Sequence, residues 1–169
     1  NYKRILMVHG TPEQMGTAHG RLLKPHVRAV TERVAYLVGA GYTAVEGEWF
    51  FDRMDDIVSR TRPHVPERFL RECDALNRSA GIPPRDGRVT NFFPELFHCS
   101  GFAVRNDASA DGRVLHARVL DYMHGIGLQN HAVIVLWMPE GNHAWLSLGY
   151  AGFIGTVTCM NEHGLAMGE

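Results

Sequence analysis

Asn91-Phe92-Phe93-Pro94-Glu95-Leu96-Phe97-His98-Cys99-Ser100-Gly101-Phe102-Ala103-Val104 is the stretch where this chain changes its period. Before it, apolar residues recur at helical spacing. After it, they come in short runs separated by turn residues. Helices followed by an antiparallel meander predict an α+β layered fold.

Upstream, residues 5–8 are a short apolar run and a candidate strand. Thr11-Pro12-Glu13-Gln14 then offers a hydroxyl cap, a proline at the first helical position and a glutamine that closes a capping box. Met15, Ala18, Leu22, Val27, Val30, Val34 and Leu37 continue at near-helical spacing. Pro25 is expected to kink or split that helix, and Gly39 with Gly41 to end it. Two more helices are predicted over residues 46–60 and 66–80, with a loop over 81–87. Cys73 falls on the apolar stripe of the third helix and reads as a buried core thiol. Downstream, strands are predicted over 100–104, 113–119, 133–137, 144–148 and 154–158. Asp111-Gly112 and Glu140-Gly141-Asn142 supply turns between them.

The 169 residues suffice for one domain, or for interleaved layers of a larger one. A hydrophobic content of 45% against 21% charged permits a real core. A net charge of −1 gives no field that would draw nucleic acid. No run reaches the roughly 18 apolar residues of a membrane span. Three cysteines, an odd number, make free thiols the expectation, and with no leader visible they point to the cytoplasm. Leu165-Ala166-Met167-Gly168-Glu169 reads as a strand stopped midway. The chain is therefore expected to assemble with the remaining C-terminal part of its own polypeptide, a homo-oligomer being the other way to cover its sheet edges.

Chemistry concentrates after residue 98. Cys99 opens the first strand of the meander, and small residues follow it. A cysteine works as a nucleophile through its thiolate, so it needs a base or a nearby cation. One hairpin on, the return strand ends in His116-Ala117-Arg118-Val119-Leu120-Asp121, which brings Arg118 and Asp121 toward Cys99. A surface Arg–Asp pair at a strand end is the plainer reading of those two residues. Asn161 most simply turns a hairpin. Ten histidines raise the question of a metal, yet no HExxH, HxH or paired-cysteine motif occurs. His116, His124 and His131 are too loosely spaced to assign as ligands. Three alternatives stay open: a papain-like arrangement using His143 and Asn161, a metal-dependent hydrolase, and a binding module without chemistry.

Taken together, these pieces resemble the acyl-coenzyme A:6-aminopenicillanate acyltransferase family of cysteine N-terminal-nucleophile hydrolases. Choloylglycine hydrolases and acid ceramidase-type amidases are more distantly similar. Gly10-Thr11-Pro12 with Gly16, His19 and Gly20 is similar to the family's opening motif. Asn91 and Glu95 match an Asn-x-x-x-Glu element ahead of the nucleophile, and Cys99-Ser100 matches the cleavage site. His116, Arg118 and Asp121 match one strand motif; Asn161 and Gly164 match a hairpin motif. His98 stands where that family has a small residue, and Cys159 where it often has glycine.

The resemblance implies a four-layer αββα sandwich with two antiparallel sheets behind a helical N-terminal region. Residues 1–98 would be the N-terminal segment and 99–169 the start of the nucleophile-bearing one, interleaved as one domain. It implies self-cleavage between His98 and Cys99, with Cys99, Asp121 and Arg118 catalytic. Asn161, His116, Glu95 and Asn91 would support them. The substrate would be a small acyl amide, with no metal or organic cofactor, and further site residues would lie beyond Glu169.

Overall fold

The computed structural model describes residues 4–97, 99–121 and 124–169. Strand β1 (Arg4–Gly10) leads into a run of helices: α1 (Pro12–Leu22), α2 (Lys24–Glu32), α3 (Gly39–Glu46), α4 (Phe50–Thr61), α5 (Glu67–Ala80) and α6 (Pro84–Phe92). A 3-10 turn, Phe93–Leu96, precedes Cys99. Then come β2 (Ser100–Asn106), β3 (Gly112–Val119), β4 (Ala132–Pro139), β5 (Trp145–Tyr150), β6 (Thr158–Asn161) and β7 (Ala166–Gly168). The fold is α+β. A five-stranded sheet runs β1-β4-β5-β6-β7, and β2 with β3 forms a separate hairpin.

The expected all-antiparallel arrangement needs a correction, because β1 pairs with β4 in parallel and makes the larger sheet mixed. The helices intervene between those two strands, so β1 returns to the sheet as a neighbour of β4 rather than as part of the meander.

Local chemistry explains the helix boundaries. The capping box forms: Thr11 Oγ1 accepts from Gln14 N, and Gln14 Oε1 accepts from Thr11 N at 2.9 Å. A cap of this kind contributes about 1 kcal/mol. Pro25 does split the first helix, sitting in the first turn of α2 where its missing N–H costs nothing. Gly39 and Gly41 do not end the following helix. A π-helical turn, Arg33–Val38, passes straight into α3, which stops at Gly47 with φ +71°. Gly39 serves packing instead, since a Cβ there would lie 2.7 Å from the Phe50 ring. The predicted 81–87 loop is shorter than expected. Pro84 starts α6, and Gly87 lets that helix press on Asn77. The strand expected at 154–158 lies at Thr158–Asn161.

Two glycines set the main helix contact. A Cβ on Gly16 would fall 2.1 Å from the Glu72 carbonyl oxygen, and one on Gly20 would fall 2.5 Å from that of Leu76. The Gly16-x-x-x-Gly20 seam therefore lets α1 and α5 meet backbone to backbone. These helices cover one face of the sheet through Leu6, Val8, Met15, Leu76, Val133, Val135 and Trp137. Strand alternation sends Ile5, Met7, Leu146, Leu148 and Met160 to the opposite face, where they are exposed. Among the described residues, no helix is long and apolar enough to cross a membrane.

Candidate active site

The β2–β3 register decides what stands beside Cys99. Ser100 pairs with Val119 and Gly101 with Arg118. The return strand thus delivers Arg118 to the start of β2, and its Nη1 lies 3.7 Å from Cys99 Sγ. Arg118 is anchored from its other side, where Nε donates to Thr158 Oγ1 at 2.5 Å. That bond joins the hairpin to the larger sheet. β3 also lies against β7, and a Cβ on Gly168 would come within 3.0 Å of His116 Cε1 and 3.4 Å of Arg118 Cβ. Glycine at 168 is therefore what allows His116 and Arg118 to lie flat on the sheet.

Further groups converge on the thiol. Glu169 Oε2 is 3.9 Å from Cys99 Sγ. Tyr150 is buried nearby; burial raises its phenol above the ordinary value, while Arg118 pulls it down. Asp121 is exposed and makes no hydrogen bond or ion pair with another described residue. Continuing the hairpin register sets Cys99 opposite Leu120, one residue short of Asp121. His98, the residue expected on the other side of the cleaved bond, lies outside the described residues.

The other residues singled out in the sequence take distinct places. Asn91, near the end of α6, grips the 151–157 connection. Its Nδ2 donates to Gly152 O at 3.1 Å and to Gly87 O at 3.0 Å, while Oδ1 accepts from Ile154 N at 2.8 Å. His19 holds the preceding peptide of the same connection, Nε2 accepting from Gly152 N at 3.0 Å. Acceptance at Nε2 leaves the ring proton on Nδ1, and full burial holds the pKa down at about 4, so His19 is neutral. Asn161 turns the β6–β7 hairpin, its Oδ1 accepting from His163 N and Leu165 N at 3.0 and 2.9 Å. Glu95 is exposed on the 3-10 turn.

A cavity of about 610 Å³ lies between α4–α6 and the edge of the larger sheet. Phe69, Phe92, Trp145 and Ile154 give it apolar walls, and Arg62, Arg88, Asn91 and Glu95 give it polar ones. Neither Cys99 nor Arg118 lines it. Strand alternation is the reason. Thr158 and Gly168 pair and face Arg118, whereas Cys159 and Met167 pair one step along and face the cavity. Of the aromatic residues around the 91–97 segment, Phe92 reaches this cavity. Phe93 packs against Phe97 and Phe153 in the core, and Trp137 is buried against Ser147. Cys73 borders the cavity as a buried thiol, pushed up to about 12 by desolvation.

The sequence reading missed one group. His143, Glu162 and His163 converge on the turns at the ends of β5 and β6, with His163 Nε2 3.0 Å from His143 Nδ1. The signal was the β5–β6 register, which pairs Trp145 with Asn161 and so brings 143 beside 163.

No family model matches the chain. It is 27% identical to the protein dcd1A of Dictyostelium discoideum over 96% of its length and 43% of that protein's. It is 24% identical to an uncharacterized protein of Archaeoglobus fulgidus over 99% of its length and 32% of the relative's. It is 26% identical to the N-acylethanolamine-hydrolyzing acid amidase of Rattus norvegicus over 69% of its length and 32% of the relative's. The chain thus spans less than half the length of these curated relatives. An amide hydrolase stands among the proteins it is distantly similar to.

Proposed function

We propose that this chain carries the nucleophile of a self-activating cysteine amidohydrolase or acyltransferase acting on linear amides. The carrying observation is Arg118 Nη1 at 3.7 Å from Cys99 Sγ, with Cys99 standing between a 3-10 turn and the first residue of β2. The distant similarity to an acid amidase supports the same reading.

In this reading the Cys99 thiol attacks the His98 carbonyl carbon. The His98–Cys99 C–N bond breaks as a thioester forms, and the proton passes to the freed amine. Water hydrolyses the thioester, leaving a carboxylate on His98 and a new N-terminal Cys99. An α-amino group has a reference pKa near ~8, so it can act as base for its own thiol. Asp121 steadies that amine as an ammonium. Arg118 stabilises negative charge developing on sulfur and on the attacked carbonyl. The substrate amide then acylates Cys99, its amine leaves with the proton, and water or a second amine takes the acyl group. Asn91 and His19 position the 151–157 connection, while Asn161, His116 and Glu95 stand in supporting places. The exposed apolar face of the larger sheet is covered, in this proposal, by the second half of a four-layer αββα sandwich.

The test is intact-mass measurement on the full-length polypeptide, beside Cys99→Ala. Two fragments meeting at His98/Cys99, absent in the variant, together with thiol-dependent hydrolysis of an N-acyl ethanolamide, support the proposal. An uncut wild type that neither hydrolyses amides nor reacts with alkylating reagents at Cys99 leaves a binding module without chemistry.

A further inference from the structure

We propose that His143, His163 and Glu162 form a binding site for one divalent transition-metal ion of the zinc class, clamping the β4–β5 turn to the β6–β7 turn. The inference is independent of the chemistry at Cys99.

The geometry is that of a ligand set. His143 Nδ1 and His163 Nε2 face each other at 3.0 Å, and Glu162 Oε1 lies 3.3 Å from His143 Nδ1 and 4.0 Å from His163 Nε2. Zinc–nitrogen and zinc–oxygen bonds run about 2.0–2.2 Å, so two ligands subtending 90–110° at the ion stand roughly 3.0–3.4 Å apart. Two of the three separations already match, and a rotamer adjustment of His163 closes the third. Imidazole and carboxylate together suit zinc, nickel or cobalt better than calcium or magnesium.

The backbone holds these side chains in place. Asn161 Oδ1 accepts from both His163 N and Leu165 N, which fixes the turn that presents His163. Ala144 N donates to Glu162 Oε1 at 3.1 Å, and Glu162 N donates to Ala144 O at 3.0 Å, which locks the two turns together. The contrast with the chain's other histidine pair is informative. His26 Nδ1 and His131 Nδ1 also meet at 3.0 Å, but Arg4 Nε donates into His26 Nε2, and no carboxylate among the described residues joins them. A cation is repelled there and attracted at Glu162. His143 and Asn161 both border the 610 Å³ cavity, so a bound ion would stiffen its rim.

The experiment is titration of the chelator-stripped protein with zinc chloride by calorimetry and with cobalt chloride by absorption. The expected result is one ion per chain. Binding is weakened at least tenfold in His143→Ala and in His163→Ala, and less in Glu162→Gln, which keeps an oxygen for Ala144 N. The cobalt complex is expected to show visible ligand-field bands without a sulfur-to-cobalt band. The metal-free melting temperature controls for folding, and these exposed substitutions are expected to leave it unchanged. No saturable binding by the wild type overturns the proposal. So does equal binding by the variants, or a thiolate charge-transfer band that places the ion on cysteine.

Discussion

Arg118 bridges Cys99 and Thr158, its guanidinium reaching the thiol at 3.7 Å with one nitrogen and the Thr158 hydroxyl at 2.5 Å with another. One side chain therefore fixes the hairpin beside Cys99 to β6 of the main sheet. Replacing it separates electrostatics from packing. Under the proposed chemistry, Arg118→Met is expected to lower amide hydrolysis about 100-fold, the scale of losing one preorganised donor. Arg118→Lys should recover part of that loss, because charge returns without the fork. Alkylation of Cys99 at fixed pH should slow in Arg118→Met and not in Thr158→Val. Unchanged rates in Arg118→Met would make the residue a tether alone.

The 151–157 connection depends on Asn91. Asn91→Ala deletes three hydrogen bonds and strands the Ile154 N–H and the Gly152 carbonyl. A loss of about 2–3 kcal/mol in urea unfolding is expected. Faster amide exchange confined to residues 151–157 should accompany it, and uniform exchange across the chain would contradict a local clamp.

The α1–α5 seam tolerates no side chain. Gly16→Ala pushes a methyl against the Glu72 carbonyl, and Gly20→Ala does so against that of Leu76. Backbone cannot move aside as a flexible side chain can, so each is expected to cost about 3 kcal/mol. Gly41→Ala has open space around it and is the control; it should be neutral or slightly stabilising.

Two buried groups on these facing helices set the pH range of stability. Burial raises Glu72 to about 8 from an ordinary value near 4.5, with Arg68 opposing. The folded state then holds a proton that the unfolded chain has released, so stability falls as pH rises from 4.5 to 8. His19 is held at about 4 against an ordinary 6.5, so stability falls as pH drops from 6.5 to 4. The slopes oppose between 4.5 and 6.5, where unfolding free energy should be flattest and highest. Each contributes at most ~1.4 kcal/mol per pH unit. Glu72→Gln should flatten the alkaline limb and leave the acid limb. A wild type most stable above pH 8 would refute this.

Much was legible in the linear chain. The period change at residues 91–104 separates helices from strands because helices and strands bury side chains at different repeats. The Thr11 cap and the Pro25 split are local backbone chemistry, and they appear where the residues put them; the turn signalled by Asp111-Gly112 spans 107–111, with Gly112 opening β3. The hairpin that carries Arg118 to Cys99 was readable for the same reason. Only the tertiary structure decided what depends on non-local register. It placed β1 parallel beside β4, put Gly39 against Phe50 and started α6 at Pro84. It turned Asn91 and His19 toward the two peptides that flank Gly152, and set the cavity on the opposite face of the sheet from Cys99. His143, Glu162 and His163 met because β5 and β6 pair in one register, and a slip of one residue would have sent them to opposite faces.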